Sequence, residues 1–152
     1  MIKKQQIYRV LDANLNRLRE ALRVIEEYYR FIDERPAVCG RLKKLRHGVA
    51  GIERALGRSN LLANRDTAGD CFADKNRPEE LDRGGGALGA LLAANFKRGQ
   101  EACRVIEEYA KVADGARDGS RLSEKAKKVR FALYAFEKEL YGGKREGSTR
   151  KA

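Results

Sequence analysis

The chain has few of the features that mark secreted, membrane-spanning or β-rich proteins. It contains 2 prolines and 3 cysteines in 152 residues, and long runs of β-branched residues are rare. Cys39, Cys71 and Cys103 are odd in number and far apart, with no CxxC spacing, which argues against a disulfide framework or a zinc site. The amino-terminal segment has no apolar signal region, and no stretch reaches membrane-spanning length. We therefore expect a helical, cytoplasmic protein without a membrane segment.

Acidic residues are too few to balance the basic ones. The net charge is +11 and charged residues make up 36% of the chain, which suits long amphipathic helices with one wet face. The last eleven residues hold Lys144, Arg145, Arg150 and Lys151 against Glu146, so four positive charges minus one leave +3 in the tail and +8 in the body. A basic body attracts the phosphates of a nucleotide or of nucleic acid, and charge alone leaves both open.

The chain contains an internal repeat. Residues 12–31 and 93–112 are identical at 11 of 20 positions, all at an offset of 81. A weaker similarity follows each copy, at 42–56 and 126–140. This pattern indicates two copies of one supersecondary unit. The repeated positions include polar residues that packing alone does not require: Asn14/Asn95, Arg17/Arg98, Glu20/Glu101, Arg46/Arg130 and Glu53/Glu137.

Apolar residues recur at spacings of three and four, which predicts an all-α protein. We expect a helical bundle of two tandem hairpins with a pseudo-twofold repeat, forming a single domain over 1–141. The expected helices lie near 4–33, 36–57, 87–112 and 120–141. A long loop covers 58–86 and contains one short helix near 78–83. A polar turn precedes residue 120, and residues 142–152 form a flexible basic tail.

One polar residue falls inside the predicted apolar face of each repeat. On a helical wheel Asn14 lies in the middle of the apolar arc and Arg17 lies on its edge, and Asn95 and Arg98 take the same places in the second copy. An unpaired buried amide costs about 1–3 kcal/mol, so each Asn needs a partner. The partner can be the protein itself, with Asn fixing the helix register, or a ligand.

The repeated glutamates fall into two groups. Glu20 and Glu101 lie next to the edge that carries the arginines, where intrahelical ion pairs and ligand contacts are both open. Glu26 and Glu107 fall on the predicted outer face, so for them we expect ordinary intrahelical ion pairs.

The loop between the repeats contains the segment Arg65-Asp66-Thr67-Ala68-Gly69-Asp70. It combines a cation, two carboxylates and a hydroxyl, which are the groups needed to hold a phosphate and a magnesium ion. Ordinary turn chemistry, with aspartate at caps, is the alternative interpretation.

The motifs DANLNRLREALRVIEEYYRF, LKKLRHGV, LLANRDTAGD and AANFKRGQEACRVIEEYAK, in this order, resemble a known family. It is the small helical hydroxymethylpyrimidine-phosphate kinase of thiamine biosynthesis, a module often fused ahead of thiamine-phosphate synthase and often named after that enzyme. The resemblance covers residues 5–141. It implies ATP-dependent phosphorylation of hydroxymethylpyrimidine phosphate to its diphosphate. With a chain of this length, a separate thiamine-phosphate synthase is an expected partner.

If the resemblance holds, the repeated polar residues and the loop provide the groups that this reaction needs. Transfer to a phosphate monoester joins two anions and requires placed cations. The predicted roles are: catalytic cations Arg17, Arg98 and Arg65; substrate-binding Asn14, Asn95, Glu20, Glu101, Lys97, Arg46, Arg130 and Thr67; and Mg²⁺ ligands Asp66 and Asp70, with ATP as the phosphate donor.

Two other functions compete with the kinase. A non-catalytic helical partner of a separate synthase is one, although such a partner has no need for Asn and Arg on the inward edge of both repeats. A nucleic-acid-binding protein is the other, but arginines here alternate with glutamates and do not form one basic face. The oligomeric state, a homodimer included, stays open.

Overall fold

The computed structural model describes residues 4–71, 86–113 and 115–142, without the side chains of 115–117 and 141–142. The described residues form five helices and no strand, so the all-α prediction is confirmed. The helices are α1 (Lys4–Phe31), α2 (Pro36–Leu56), α3 (Arg58–Ala63), α4 (Ala87–Ala113) and α5 (Gly115–Gly142). None of these helices is apolar over enough residues to cross a bilayer.

The predicted boundaries fail in two places. Residues 58–63 form the short helix α3, where a loop was expected. The polar turn expected before residue 120 is also wrong, because α5 already begins at Gly115. A glycine at 119 allows this, since its α-carbon lies close against the Ala110 carbonyl and α5 can pack on α4 from its first turns. The expected helix near 78–83 and the tail after Gly142 lie outside the described residues.

Backbone signals set the ends of the first hairpin. α1 ends before Glu34, which has a positive φ of 46°, and α2 begins at Pro36, whose ring favours the first turn of a helix. Gly57, with φ of 82°, separates α2 from α3. Only glycine adopts this conformation at low cost, so α2 and α3 remain two helices with different directions.

The two long central helices, α1 and α4, pack against each other, and each also packs against the helix that follows in its own repeat. Burial recurs at equivalent positions of the two repeats. The equivalent buried pairs are Leu11/Leu92, Asn14/Asn95, Leu15/Phe96, Leu18/Gly99, Ala21/Ala102, Leu22/Cys103, Ile25/Ile106, Glu26/Glu107 and Tyr29/Ala110 on the central helices, and Val38/Leu122, Leu42/Ala126, Val49/Leu133, Ile52/Phe136 and Leu56/Leu140 on the outer ones. The superposition of the two halves itself stays a prediction.

One equivalent pair lies where the two central helices are in contact. A β-carbon on Gly99 would lie 3.7 Å from Leu18 Cδ1 and 3.1 Å from Leu133 Cδ1. Leu18 is fully buried and its counterpart in the second repeat is Gly99. A large side chain from one helix therefore fills the space left by the missing side chain of the other, and the two central helices approach closely.

Candidate active site

The repeated polar residues come together in one cleft. The cleft has a volume of about 660 Å³ and lies between α1 and α4. All ten lining residues are identical pairs at the repeat offset of 81: Asn14/Asn95, Arg17/Arg98, Glu20/Glu101, Ala21/Ala102 and Val24/Val105. Each wall of the cleft thus carries the same amide, cation and carboxylate.

The two asparagines are buried, and each is held by its own helix. Asn14 Nδ2 donates to the Val10 carbonyl oxygen at 2.9 Å, and Asn95 Nδ2 donates to the Leu91 carbonyl oxygen at 2.8 Å. This bond satisfies one N–H of each amide and fixes the side chain. The other N–H and the oxygen of each amide form no hydrogen bond with the described part of the protein, so they remain available at the cleft wall.

The charged residues of the cleft are exposed, as a ligand site requires. Among the residues that the structure describes, no ion pair involves Arg17, Glu20 or Glu101. The intrahelical pairs that we considered for these glutamates are therefore not formed. Their opposite charges stay available within one concave surface, where low-dielectric walls strengthen their interaction with a charged ligand.

The loop after α3 lies at the mouth of this cleft. A second concavity of about 620 Å³, the loop groove, is lined by Asn14 and Arg17 on one side and by loop residues on the other. Since Asn14 and Arg17 line both, the cleft and the groove form one continuous surface. The loop residues that line the groove are Arg65, Asp66, Thr67 and Asp70.

Arg65 anchors the loop to α1 through an ion pair with Asp12. Its Nε and Nη2 atoms each donate to an oxygen of Asp12 at 2.7 Å, and Asp12 is almost fully buried. These hydrogen bonds and the negative charge of Asp12 raise the pKa of Arg65. If Arg65 has the predicted catalytic role, its guanidinium must at the same time hold the structural ion pair with Asp12.

Asp66 also has structural duties. Its Oδ1 accepts from the Gly69 N–H at 2.8 Å, and Arg9 donates to its carbonyl oxygen at 3.0 Å and lies 3.4 Å from its Oδ2. A β-carbon at Gly69 would lie 2.3 Å from Asp66 Oδ2, so a larger residue there would displace the Asp66 carboxylate. Asp66 and Asp70 both line the groove, but no cluster of three or more His, Cys, Asp or Glu residues occurs in the described ranges. The groove can thus supply at most a partial set of metal ligands.

Three predicted substrate-binding residues lie outside the cleft. Arg46 on α2 donates to Glu26, and Arg130 on α5 donates to Glu107 at 2.8 and 3.0 Å. Lys97 contacts Gln100 at 3.3 Å and does not line the cleft. The structure therefore does not bring these three cations to the cleft, and their contacts with a substrate stay a prediction.

The expected intrahelical ion pairs are formed, between Glu26 and Arg23 at 3.8 Å and between Glu107 and Arg104 at 2.9 Å. The expectation that the two glutamates face outward is wrong. Their exposed fractions are 7% and 5%. Each lies between the central helix that carries it and the following outer helix, where an arginine neutralises it. The helical wheel of a single helix cannot show this, because the apolar arc does not reveal how far the neighbouring helix covers its edge.

Sequence reasoning missed Arg9 and Asp12, which hold the loop in place. A signal for Asp12 existed, since it directly follows the buried Leu11 in an apolar spacing, and a buried carboxylate requires a cationic or hydrogen-bonding partner. No comparable signal identifies Arg9, which is exposed in part and finds its partner 57 residues away.

Comparisons with known proteins match most of the chain. The model of the ThiD2 family matches residues 9–139. A thiamine-phosphate synthase of Nostoc sp. is 40% identical over 149 residues, which are 98% of this chain and 39% of that protein. A thiamine-phosphate synthase of Thermosynechococcus vestitus is 45% identical over 139 residues, 90% of this chain and 36% of that protein. The same name applies to a relative in Rhodopirellula baltica, 37% identical over 134 residues, 88% of this chain and 34% of that protein.

This chain spans less than two fifths of the length of these relatives. No solved structure matches it. The family match, by contrast, includes both repeats, the cleft between them and the loop at its mouth. The chain therefore belongs to the ThiD2 family.

Proposed function

We propose that this protein is an ATP-dependent kinase of thiamine biosynthesis that converts hydroxymethylpyrimidine phosphate to its diphosphate. The resemblance of its motifs to that kinase, the ThiD2 family match and the relatives named thiamine-phosphate synthase support the pathway. The main observation in favour of kinase activity is the cleft, in which each wall presents one Asn, one Arg and one Glu to the same space.

A cleft with two equal walls suits a reaction that brings two phosphates together. An oxygen of the pyrimidine phosphate attacks the γ-phosphorus of ATP, the bond from that phosphorus to the bridging oxygen breaks, and ADP leaves with the electron pair. Both reactants are anions that repel each other. Arg17 on one wall and Arg98 on the other supply one cation for each, so the repulsion falls as the two groups converge.

The asparagines and glutamates fit the polar edges of the two bases. The amide nitrogen of Asn14 is oriented by Val10, so its oxygen can accept a hydrogen bond from the amino group of an aminopyrimidine. Asn95 offers the same group on the opposite wall, where the adenine of ATP also carries an amino group. Glu20 and Glu101, exposed beside them, are acceptors of the same kind.

Magnesium fits the loop groove only if the substrates contribute most of its ligands. Mg²⁺ commonly takes one or two carboxylates and completes its shell with phosphate oxygens and water. Asp66 and Asp70 could provide those carboxylates, and the ion would supply positive charge at the transferring phosphate. The protein's own part is to hold the turn through Gly69 and Arg9, so that both side chains stay at the cleft mouth.

The direct test is diphosphate formation from hydroxymethylpyrimidine phosphate at varied ATP and magnesium concentrations. We expect turnover by the wild-type protein and a loss of about a hundredfold or more in Arg17→Ala and in Arg98→Ala, since each removes a cation that acts mainly in the transition state. Lys111→Ala is the control, because Lys111 is an exposed cation of the same helix that does not line the cleft. Wild-type protein without turnover would exclude the kinase, and full activity in both arginine variants would move the site elsewhere.

A non-catalytic partner of thiamine-phosphate synthase is the second candidate. The observation in its favour is that the relatives carry more than 60% of their length outside the region that matches this chain. Such a partner would bind a synthase polypeptide with no ATP turnover, and its affinity would not change in Arg17→Ala. A pull-down with purified synthase, run beside the kinase assay, separates the two functions.

A further inference from the structure

A second concave site lies in the first hairpin, away from the cleft. This first-hairpin cavity has a volume of about 660 Å³ and lies between the end of α1 and the start of α2. It shares no lining residue with the cleft. Its lining includes Tyr29 and Cys39 with a set of charged residues: Arg23, Glu26, Arg30, Glu34, Arg35, Lys43 and Arg46.

The cavity is strongly positive. Five cations and two carboxylates line it, which leaves a net charge of +3. Glu26 neutralises Arg46 at the inner end. Among the described residues no carboxylate pairs with Arg30 or Lys43, and Arg35 reaches Asp33 only at 4.0 Å. These three cations at the outer part of the cavity therefore retain most of their charge for a ligand.

The second hairpin shows why the cavity exists. At the position of Tyr29 the second repeat has Ala110, and at the position of Arg35 it has Gly119. A β-carbon on Gly119 would lie 2.5 Å from the Ala110 carbonyl oxygen, so α4 and α5 are in close contact there. Tyr29 and Arg35 are too large for such contact, and the Arg35 guanidinium lies 6.0 Å from the centre of the Tyr29 ring. The first hairpin is held open where the second is closed.

We propose that the first-hairpin cavity binds a di- or triphosphate group. Three available cations around one concavity match the several negative charges of such a group better than those of a single phosphate or carboxylate. The volume lies in the range of small-molecule sites. Arg46 and Arg23 are both held by Glu26, so the charge for a ligand comes mainly from the other three cations. The proposal concerns a site separate from the cleft and does not depend on the kinase.

Gly40 allows a variant that changes charge without disturbing the fold. Gly40 lines the cavity and lies inside α2, and a β-carbon added to it would meet no atom within 4 Å. Its counterpart in the second repeat is Glu124. Gly40→Glu thus gives the first hairpin a carboxylate that the second already has, and Gly40→Gln is the control of the same size without the charge.

The experiment is calorimetric titration with inorganic triphosphate at low salt, in a protein that carries Arg17→Ala and Arg98→Ala so that the cleft does not contribute. We expect binding that is about tenfold weaker after Gly40→Glu and nearly unchanged after Gly40→Gln. Arg30→Ala should weaken binding, whereas Lys111→Ala, the equivalent change in the second repeat, should not. Circular dichroism of each variant checks that the helices remain.

Two further titrations, of the parent protein and of Gly40→Glu with ATP, identify which kind of molecule supplies the bound phosphates. ATP that binds more tightly than triphosphate, with the same sensitivity to Gly40→Glu, indicates a nucleotide, and weaker ATP binding indicates an inorganic polyphosphate. No triphosphate binding, equal binding in Gly40→Glu and Gly40→Gln, or equal losses in Arg30→Ala and Lys111→Ala would each overturn the proposal.

Discussion

The two hairpins are built on one plan but differ in how tightly they close. In both, an arginine of the outer helix neutralises a buried glutamate of the central helix, Arg46 with Glu26 and Arg130 with Glu107. A second interaction also recurs. In the first hairpin Arg19 donates to Glu53 at 3.2 Å, and in the second the equivalent Gln100 donates to Glu137 at 2.6 Å.

The difference lies at the far end of each hairpin. Ala110 and Gly119 bring α4 and α5 into contact, while their counterparts Tyr29 and Arg35 line the first-hairpin cavity. The two halves are therefore most alike where they face each other across the cleft, and least alike where each faces solvent alone. The polar residues on the shared surface are identical in both halves, and within the described residues Arg17, Glu20 and Glu101 form no ion pair, unlike the repeated arginines of the outer helices.

The largest expected effect tests whether the halves are related as the repeat implies. Leu18→Gly should cost about 3–5 kcal/mol, because it leaves a cavity at the crossing of α1 and α4. Gly99→Leu should cost about 1–3 kcal/mol through overpacking against Leu133. The double variant should be more stable than Leu18→Gly alone, since the leucine then enters the same space from the other helix. Urea unfolding measures all three, and additive losses would contradict the symmetry.

The two buried ion pairs allow a second comparison of the hairpins, based on how much each pair contributes to stability. Glu107 accepts from Arg130 and from Arg104 at 2.9 Å, and the Arg130 side chain is 14% exposed; Arg46, the partner of Glu26, is 24% exposed. Removing the charge leaves a cation unpaired, at a cost that grows with burial. We expect Glu107→Gln to lower the free energy of unfolding by about 2–3 kcal/mol and Glu26→Gln by less. An equal loss in both variants would show that solvent reaches the two ion pairs to the same extent.

Much of the fold could be predicted from the sequence because its signals are local. The spacing of Leu11, Leu15, Leu18 and Leu22 defines a helix face without any knowledge of the partner, and Pro36 marks a helix start by its own geometry. The early start of α5 could not be predicted in this way. DGARDGS reads as a turn, but residues 115–120 are helical because Gly119 permits close packing on α4, which is a tertiary effect.

The cleft followed from the repeat, since polar residues shared by both copies on one helix face must meet if those faces meet. The structural role of the arginines of the outer helices could not be predicted from the repeat. Arg46 and Arg130 are also repeated, but their partners Glu26 and Glu107 become buried only through helix packing, which no single-helix pattern contains. Repetition alone cannot distinguish a shared ligand site from a shared structural ion pair.

Gly119→Ala should change the closed hairpin and leave the open one intact. The new β-carbon would meet the Ala110 carbonyl oxygen at 2.5 Å, and a backbone atom cannot move aside as a flexible side chain can. We expect a loss of about 2 kcal/mol in the free energy of unfolding. Gly40→Ala is the control in the first hairpin: its β-carbon meets nothing within 4 Å, and alanine in a helix should add up to about 1 kcal/mol. Thermal unfolding that moves both variants in the same direction would remove the distinction between the hairpins.

The smallest expected effect concerns Cys103, whose counterpart in the first repeat is Leu22. Burial raises the pKa of the Cys103 thiol to about 12 from its ordinary value of 9.0. The unfolded chain therefore loses this proton near pH 9 while the folded chain keeps it, so stability is lost as pH rises from about 9 towards 12. At pH 10 the loss attributable to this thiol should be about 1 kcal/mol relative to pH 8.

Cys103→Ala should abolish that part of the pH dependence, even though the smaller side chain lowers stability at every pH. Urea unfolding at pH 8 and pH 10 gives the difference for each protein. Alkylation at pH 8 provides an independent check, because the exposed Cys71 should react quickly while Cys103 reacts only as the protein unfolds. Rapid alkylation of Cys103 in the folded protein, or an unchanged pH dependence in Cys103→Ala, would contradict the burial of this thiol and the closed packing of the second hairpin around it.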